Sequence, residues 1–436
     1  MLDMYNALLL FGVLLIAGVV IREFVPPLQK VLLPASLIGG FLGLILGQQV
    51  LGVIEIPVAF TDITSIGMRI IMACVPIGIT VSAKRIYQHL DFTFTNMTAF
   101  GFQMIFGLVL GGILMKFWPG LPEAWGLMGV AAYHGSHGTV PVVSEMIDPS
   151  GAMGAQSIGM VMATLGILFA MIPGMFIANY GVRRGWATFT HDIANQPKYF
   201  FHGTLPEEKR EPLGRTTVNP TNVTGIALQL GIIAIAIKLG EIIFKGLALF
   251  IPFFGNIGAM LWGLIGGLIL WPVMKKLKLD KFVDKDTINQ ISNFTLEMII
   301  LAACATVQLD IVSKLFAPLF IHALLSMIIT GLFIFIWMKK IGHPQWFEKS
   351  LMLFGMCTGS NPQGLSLVRA VDPENKSCIY EALGVYNAVF FWNFILIPFA
   401  ASIVLYNRLP IYIVGAGLMS TCVVGTIIFS REKKKG

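Results

Sequence analysis

Eleven mostly apolar stretches, each close to 20 residues long, constrain the fold of this chain more than any other feature. A helix needs about 20 apolar residues to cross the hydrocarbon core of a bilayer. Only 12% of the residues are charged, about half the share of an average soluble domain. The sequence therefore predicts an all-α polytopic membrane protein. The predicted spans are 4–21, 33–51, 63–82, 98–117, 155–178, 223–244, 252–274, 292–312, 316–338, 381–406 and 411–429.

Two further apolar stretches, 126–147 and 350–371, are rich in Gly, Ser, Thr, Asn and Pro and are predicted to be broken. Suppose that Met1 is outside and that each stretch enters and leaves the membrane on the same side. Then 23 of the 30 basic residues face the cytoplasm. Such a bias is typical of multi-pass proteins of the plasma membrane. The stretches are therefore predicted to be re-entrant hairpins, the first entering from outside and the second from the cytoplasm, with the C-terminus cytoplasmic. Non-helical backbone at membrane depth must be buried in protein or line a polar cavity, so two hairpins indicate a polar pathway.

The two halves of the chain resemble each other at a nearly constant offset of 224 to 230 residues. The matches are Leu37–Gly40 with Leu264–Gly267, Cys74 and Lys84 with Cys304 and Lys314, and Gly135-Ser136 and Asp148-Pro149 with Gly359-Ser360 and Asp372-Pro373. Each half holds five spans and one hairpin, and since five is odd, the second copy is inverted in the membrane. Inverted repeats with discontinuous segments are typical of secondary transporters. The predicted domains are repeat 1–180, a cytoplasmic linker 181–222, repeat 223–406, and an extra span with a basic tail at 407–436.

The first predicted hairpin carries groups suited to a small cation and an anion. Ser136 and Thr139 offer hydroxyl oxygens, and a helix broken near Gly138 frees backbone carbonyls. These three are the candidate sodium ligands of this hairpin. A helix that restarts here would direct N–H groups at an anion, and His137 and Thr139 are candidate substrate ligands.

The second predicted hairpin is also rich in neutral oxygen donors. Thr358 and Ser360 are candidate sodium ligands, while Ser360, Asn361 and Gln363 are candidate substrate ligands. Arg369 follows about two helical turns later and is the candidate countercharge for a carboxylate, with snorkelling to the surface as the alternative.

Other function classes lack support in the sequence. His134, His137 and Glu145 do not follow the H-E-x-x-H spacing, and nearby glycines break the helix that a zinc site of that kind needs. A Walker-type G-x-x-x-x-G-K-[ST] motif, which would indicate direct use of ATP, does not occur. A membrane enzyme would need a convergent nucleophile or metal constellation, and two inverted hairpins suit alternating access better than a channel. No cofactor and no nucleic-acid partner is expected.

Two motifs resemble those of the bacterial sodium/glutamate symporters. Gly135–Thr139 is similar to the family's G-G-H-G-T stretch, with Ser136 at the second glycine, and Pro34–Gly40 is similar to its P-x-x-x-x-G-G pattern. The resemblance covers about residues 30–405. It implies sodium-coupled uptake of glutamate or a similar small carboxylate, a homodimer, and an elevator-type movement of a transport core. A proton-coupled or sodium-coupled carrier of another organic anion is the alternative.

Overall fold

The computed structural model describes residues 2–30, 33–78, 83–190, 206–210, 212, 214–215, 217, 219, 221, 223–250, 260–373 and 376–432. Throughout these residues the regular structure is helical. The helices are α1 (Leu2–Phe24), α2 (Pro26–Lys30), α3 (Ala35–Leu46), α4 (Ala59–Cys74), α5 (Ala83–Gln88), α6 (Leu90–Met115), α7 (Met128–Ile147), α8 (Ala155–Arg183), α9 (Gly225–Ala248), α10 (Met260–Lys276), α11 (Lys285–Ala305), α12 (Leu309–Ile341), α13 (Trp346–Thr358), α14 (Asn361–Val371), α15 (Ile379–Val389), α16 (Asn393–Ile403) and α17 (Leu409–Glu432).

All eleven predicted spans contain a helix, but fewer of these helices are long enough to cross a bilayer. Six described helices meet that length and composition, namely α1, α6, α8, α9, α11 and α12. The pair α15 and α16, bent by 46°, makes seven if it counts as one span. In contrast, α3, α4 and α10 have only 12, 16 and 17 residues, and the apolar part of α17 is likewise short. Six or seven spans are therefore long enough within the described residues, and the count of eleven stays a prediction, because residues 79–82 after α4 and 251–259 before α10 lie outside the part of the chain that the structure describes.

Some predicted segments fall partly on residues that the structure does not describe. These are 79–82 of the predicted span 63–82, 252–259 of the predicted span 252–274, residues 191–205, 211, 213, 216, 218, 220 and 222 of the linker, and 433–436 of the basic tail.

The chain divides into two compact units, and each unit draws segments from both halves of the sequence. The first unit comprises Met1–Ile21, Ala35–Thr80 and Gly203–Thr306. The second comprises Arg22–Pro34, Val81–His202 and Val307–Gly436. Sequence repeat and compact unit are therefore different divisions of this chain, and the predicted repeat boundaries stay a prediction.

In the first unit, the two matching Leu-Ile-Gly-Gly motifs pack in corresponding ways. On α3, a Cβ added at Gly40 would lie 2.6 Å from the Cβ of Cys304 on α11. On α10, a Cβ added at Gly267 would lie 2.6 Å from the Cγ of Pro76, just after α4. Glycine is needed at both positions because the helix packs directly on a segment from the other half of the chain. These paired contacts support a duplication.

In the second unit, the two Asp-Pro corners have the same backbone conformation. Asp148 has φ −143° and ψ 68°, and Asp372 has φ −141° and ψ 72°. The Asp148 carboxylate accepts hydrogen bonds from the backbone N–H groups of Met153 and Ala155, at 3.1 and 3.2 Å. The Asp372 carboxylate accepts two from the chain that follows it, at 2.9 and 2.8 Å. Each corner therefore ends a broken helix and organises the entry to the next helix.

Candidate functional site

The first predicted hairpin contains a helix that is interrupted at Ser136. The backbone of Ser136 has φ 53° and ψ −151°, so α7 is two helical segments that meet at this residue. A positive φ is unfavourable for a non-glycine residue and is found where surrounding structure imposes it. Gly135 is required before the break because a Cβ there would overlap the side chain of Thr139. The break is therefore confirmed, and the re-entrant path of the chain stays a prediction.

A chain of hydrogen bonds leads from this break to α8. The Thr164 hydroxyl donates to the Met160 carbonyl at 3.0 Å. Because the Thr164 hydrogen is used in this bond, we assign the imidazole proton to His137 Nε2, which lies 3.1 Å from the Thr164 oxygen. Nδ1 then accepts from the Ser136 hydroxyl, 3.2 Å away. Ser136 and His137 are buried. In this arrangement the Ser136 oxygen has used its hydrogen and keeps acceptor capacity for a ligand.

Thr139 connects the two segments of α7 across the break. Its hydroxyl donates to the Ala131 carbonyl at 2.6 Å, and the carbonyl oxygen of Ser136 lies 3.4 Å away. The side chain is fully buried. Thr139 therefore has a structural role, and its oxygen also keeps lone pairs that could bind a cation.

The second predicted hairpin is broken between α13 and α14. Thr358 ends α13 with its hydroxyl donating to the Phe354 carbonyl at 2.6 Å. Ser360 is fully extended, and its hydroxyl donates to Gln363 Oε1. Helix α14 then begins at Asn361. Pro362 has no N–H group, and the Gly364 N–H donates to the Ser360 carbonyl at 3.1 Å. The N–H groups of Asn361 and Gln363 are therefore the first-turn donors with no partner inside the helix. The break thus presents hydroxyl oxygens beside a helix N-terminus.

Helix α8 contacts both breaks along one short stretch. Thr164 bonds to His137 at the first break. Two residues later, a Cβ added at Gly166 would overlap the carbonyl oxygen of Thr358 at the second. Ala170 lies against Gly359, with 3.0 Å between its Cβ and the position of an added one. Because a helix rises about 1.5 Å per residue, contacts with the two breaks fall within about 9 Å along α8.

The candidate substrate residues of the second hairpin differ in their distance from this stretch. Gln363 is buried and Asn361 is partly buried at the start of α14. Arg369 lies in the last turn of α14 with an exposed side chain. Eight residues of helix separate it from Asn361, or about 12 Å. The structure therefore brings together the candidates at the breaks, and Arg369 lies apart from them.

Sequence reasoning missed three buried polar residues near the breaks. Thr164 on α8 holds His137, and Asn96 and Gln103 on α6 both contact Cys357, the residue before Thr358. The signal that could have identified them is an uncharged polar side chain inside an apolar span. From the sequence, only charged residues within the spans were considered.

Taken together, the site offers neutral hydroxyl and amide oxygens, an imidazole and a helix N-terminus. Neutral oxygens are the ligands that a hard monovalent cation prefers, and a helix N-terminus favours an anion.

Comparison with known proteins adds one family. The family model described as "Sodium/glutamate symporter" matches residues 1–362, which include the whole first hairpin and reach the start of α14. A comparison with curated proteins gives no match.

Proposed function

The chain belongs to the sodium/glutamate symporter family, and on this premise we propose that it imports glutamate or a similar small carboxylate with sodium by alternating access. Family membership makes the chain a transporter and not an enzyme, and it implies sodium and glutamate as the transported species. The observation that carries the proposal is the pair of helix breaks, lined by neutral oxygens, against one stretch of α8.

The proposed test is uptake of labelled glutamate into proteoliposomes that contain the purified protein. An inward sodium gradient should drive accumulation, and removing sodium should abolish it. Uptake driven by a pH gradient with no response to sodium would instead favour the proton-coupled alternative. If sodium drives uptake of another organic anion and glutamate is not transported, the proposed substrate would be wrong and the proposed sodium coupling would stand.

The proposed sodium ligands are Ser136, the Gly138 carbonyl, Thr139, Thr358 and Ser360. Support comes from the hydroxyls of Thr139 and Thr358, which donate to backbone carbonyls and thereby leave their lone pairs for a cation.

Removal of one of these oxygens should weaken sodium binding and leave membrane insertion intact. We expect Ser136→Ala to raise the sodium concentration for half-maximal uptake about tenfold, the effect of losing roughly 1.4 kcal/mol. Thr139→Val should do the same and also lower thermal stability, because the Ala131 carbonyl loses its donor. Unchanged sodium dependence in both variants would remove these hydroxyls from the ion site.

The proposed carboxylate site lies between the two breaks, with His137, Thr139, Ser360, Asn361 and Gln363 as ligands. Support comes from the N-terminus of the 11-residue α14, where the N–H groups of Asn361 and Gln363 have no partner inside the helix and suit an anion. Arg369 is proposed as the countercharge for the carboxylate. Its side chain is exposed, so it is proposed to approach the carboxylate from the edge of the site.

Two substitutions separate these contributions. Asn361→Ala should raise the KM for glutamate by removing an orienting amide. Arg369→Lys should also raise KM because lysine cannot reproduce a bidentate contact with a carboxylate, whereas Lys433→Ala in the tail serves as the charge control. Normal affinity in both variants would mean that α14 has only a packing role.

An elevator-type movement of the body that carries the site is the proposed mechanism of alternating access. Support comes from the two compact units, each built from segments of both halves of the chain, and from the matching Asp-Pro corners and Gly-Gly contacts. Inverted repeats are proposed to exchange roles between the outward-open and inward-open states. We further propose a homodimer in the plasma membrane, with the N-terminus outside and the C-terminus cytoplasmic.

A further inference from the structure

Gln103 is a buried amide near the middle of the 26-residue helix α6. Its side chain is 2% exposed. A residue halfway along a spanning helix lies near the bilayer midplane, where an unpaired polar group is costly and water is scarce. Each polar atom of this side chain is therefore expected to have a partner.

The orientation of the Gln103 amide is fixed by its neighbours. Its Nε2 lies 2.7 Å from the carbonyl oxygen of Cys357 and 3.1 Å from the hydroxyl oxygen of Thr330. A carbonyl oxygen only accepts hydrogen bonds, so the nitrogen, and not the oxygen, must face Cys357. Gln103 Oε1 consequently points elsewhere, and it is buried without a hydrogen-bond partner among the residues that the structure describes.

Asn96 lies two turns earlier on the same face of α6. Its Nδ2 lies 3.4 Å from the Sγ of Cys357, and its Oδ1 is buried with no partner in the described part of the chain. A thiol both donates and accepts, so the orientation of this amide is set less strictly than that of Gln103. Between the two amides, the Phe100 ring packs on the ring of His134 at 4.9 Å between centroids. This face of α6 therefore touches α13 just before the second break and α7 just before the first.

Two amide oxygens without a partner among the described residues lie on one buried face of α6. A ligand that supplies positive charge or hydrogen-bond donors would satisfy them. A buried oxygen that lacks a hydrogen bond destabilises the state in which it is unpaired. Gln103 Oε1 can only accept hydrogen bonds, which excludes an anion as the group that it binds.

We propose that Gln103 Oε1 and Asn96 Oδ1 bind the cationic group of the transport cycle, either the ammonium of an amino-acid substrate or Na⁺. This inference rests on the proposed function. It assigns α6 the recognition of positive charge, while the N-terminus of α14 recognises negative charge. The amide nitrogens hold Cys357 in place, so ligand binding at the oxygens is linked to the position of the second break.

The test measures two affinities in purified Gln103→Met and Asn96→Leu, each of which replaces the carboxamide, oxygen and nitrogen together, by an apolar side chain of similar volume. Glutamate affinity is measured at saturating sodium, and the half-saturating sodium concentration is measured at saturating glutamate. If the oxygens bind the ammonium group, glutamate affinity falls about tenfold and sodium dependence stays unchanged. If they bind Na⁺, the half-saturating sodium concentration rises about tenfold at saturating glutamate.

Thr98→Val is the matched control. Thr98 is also buried on α6, but its hydroxyl contacts Thr421 of α17 at 3.1 Å and faces away from Cys357. It should change both affinities less than twofold. Affinities at the wild-type level in Gln103→Met and Asn96→Leu would overturn the inference, even if both variants unfold at lower temperature. If Gln103→Met does not fold, Asn96→Leu decides. A wild-type protein that binds neither glutamate nor sodium would instead refute the proposed function.

Discussion

Lys349 and Asp91 form an ion pair in the interior of the second unit. The Lys349 Nζ lies 2.7 and 2.9 Å from the two carboxylate oxygens, and the side chains are 0% and 3% exposed. Charge counting along the sequence treats Lys349 as a cytoplasmic topology signal. In the structure, its ion pair with Asp91 connects the start of α13 to the first turn of α6.

Lys349→Met should destabilise the protein by about 3–5 kcal/mol, because it leaves the Asp91 carboxylate buried without its partner. The measurement is the thermal unfolding midpoint in detergent. The double variant Asp91→Leu/Lys349→Met should recover much of the loss, since no unpaired charge remains. A single variant as stable as the wild type would mean that water reaches Asp91.

His343, between α12 and α13, should make stability depend on pH. Burial is the main cause that lowers its pKa to about 4, with the Lys349 charge second. An unfolded histidine titrates near 6.5, so between these values the unfolded chain binds a proton that the folded chain does not. Stability should therefore be complete above about pH 6.5 and fall as pH drops towards 4.

The unfolding midpoint between pH 7.5 and 4 measures this effect. Burial also lowers the pKa of His89, so that residue contributes in the same direction. His343→Gln should reduce the slope without abolishing it. An identical slope in this variant would assign the pH dependence to other groups.

At the scale of helices, the close approach of α8 to the second break depends on a missing side chain. A Cβ added at Gly166 would overlap the Thr358 carbonyl oxygen and lie 3.1 Å from the ring of Tyr133. Gly166→Ala should therefore push α8 away from α13, cost about 1–3 kcal/mol, and lower the transport rate far more than expression.

Gly112→Ala on α6 is the control, because among the described residues no atom outside the adjoining backbone of α6 lies within 4 Å of a Cβ added there. It should leave transport unchanged and slightly favour the helix. Full transport by Gly166→Ala would show that the contact between α8 and the second break can relax without loss of function.

At the scale of the whole molecule, the predicted sidedness can be checked at the linker. In the first unit, the linker residue Thr217 donates from its hydroxyl to the Phe282 carbonyl at 2.8 Å, and the backbone N–H of Arg215 donates to Asp284 at 3.0 Å. These bonds bring the linker to the loop between α10 and α11, which the basic residues also assign to the cytoplasm.

Asn219→Cys in a cysteine-free background should react with an impermeant thiol reagent only after the cytoplasmic face is opened. Asn219 is exposed and bonds only locally, to Thr221, whereas Thr217 is partly buried and bonds to the Phe282 carbonyl, so Asn219 is the better reporter. Labelling from outside in intact cells would reverse the predicted orientation, and it would remove the charge argument for a re-entrant first hairpin.

The sequence by itself determined the class of this protein, the positions of its helices and the two places where helices break. Apolar length and Gly-rich interruptions are local properties, so they are readable from neighbouring residues: Ser136 and Ser360 both lie within the predicted breaks. The family follows from short motifs for the same reason. Six or seven of the eleven predicted spans are long enough within the described residues, and hydropathy alone does not report where a helix ends.

Only the tertiary structure decided which side chains meet. The contact of α8 with both breaks, the burial of Lys349 and the orientation of the Gln103 amide join residues that are far apart in the chain. Gln103 and Cys357 are separated by 254 residues, and hydropathy or motif spacing carries no information about such a pair. The physical reason is that a hydrogen bond or an ion pair depends on distances of about 3 Å, and packing between helices sets those distances.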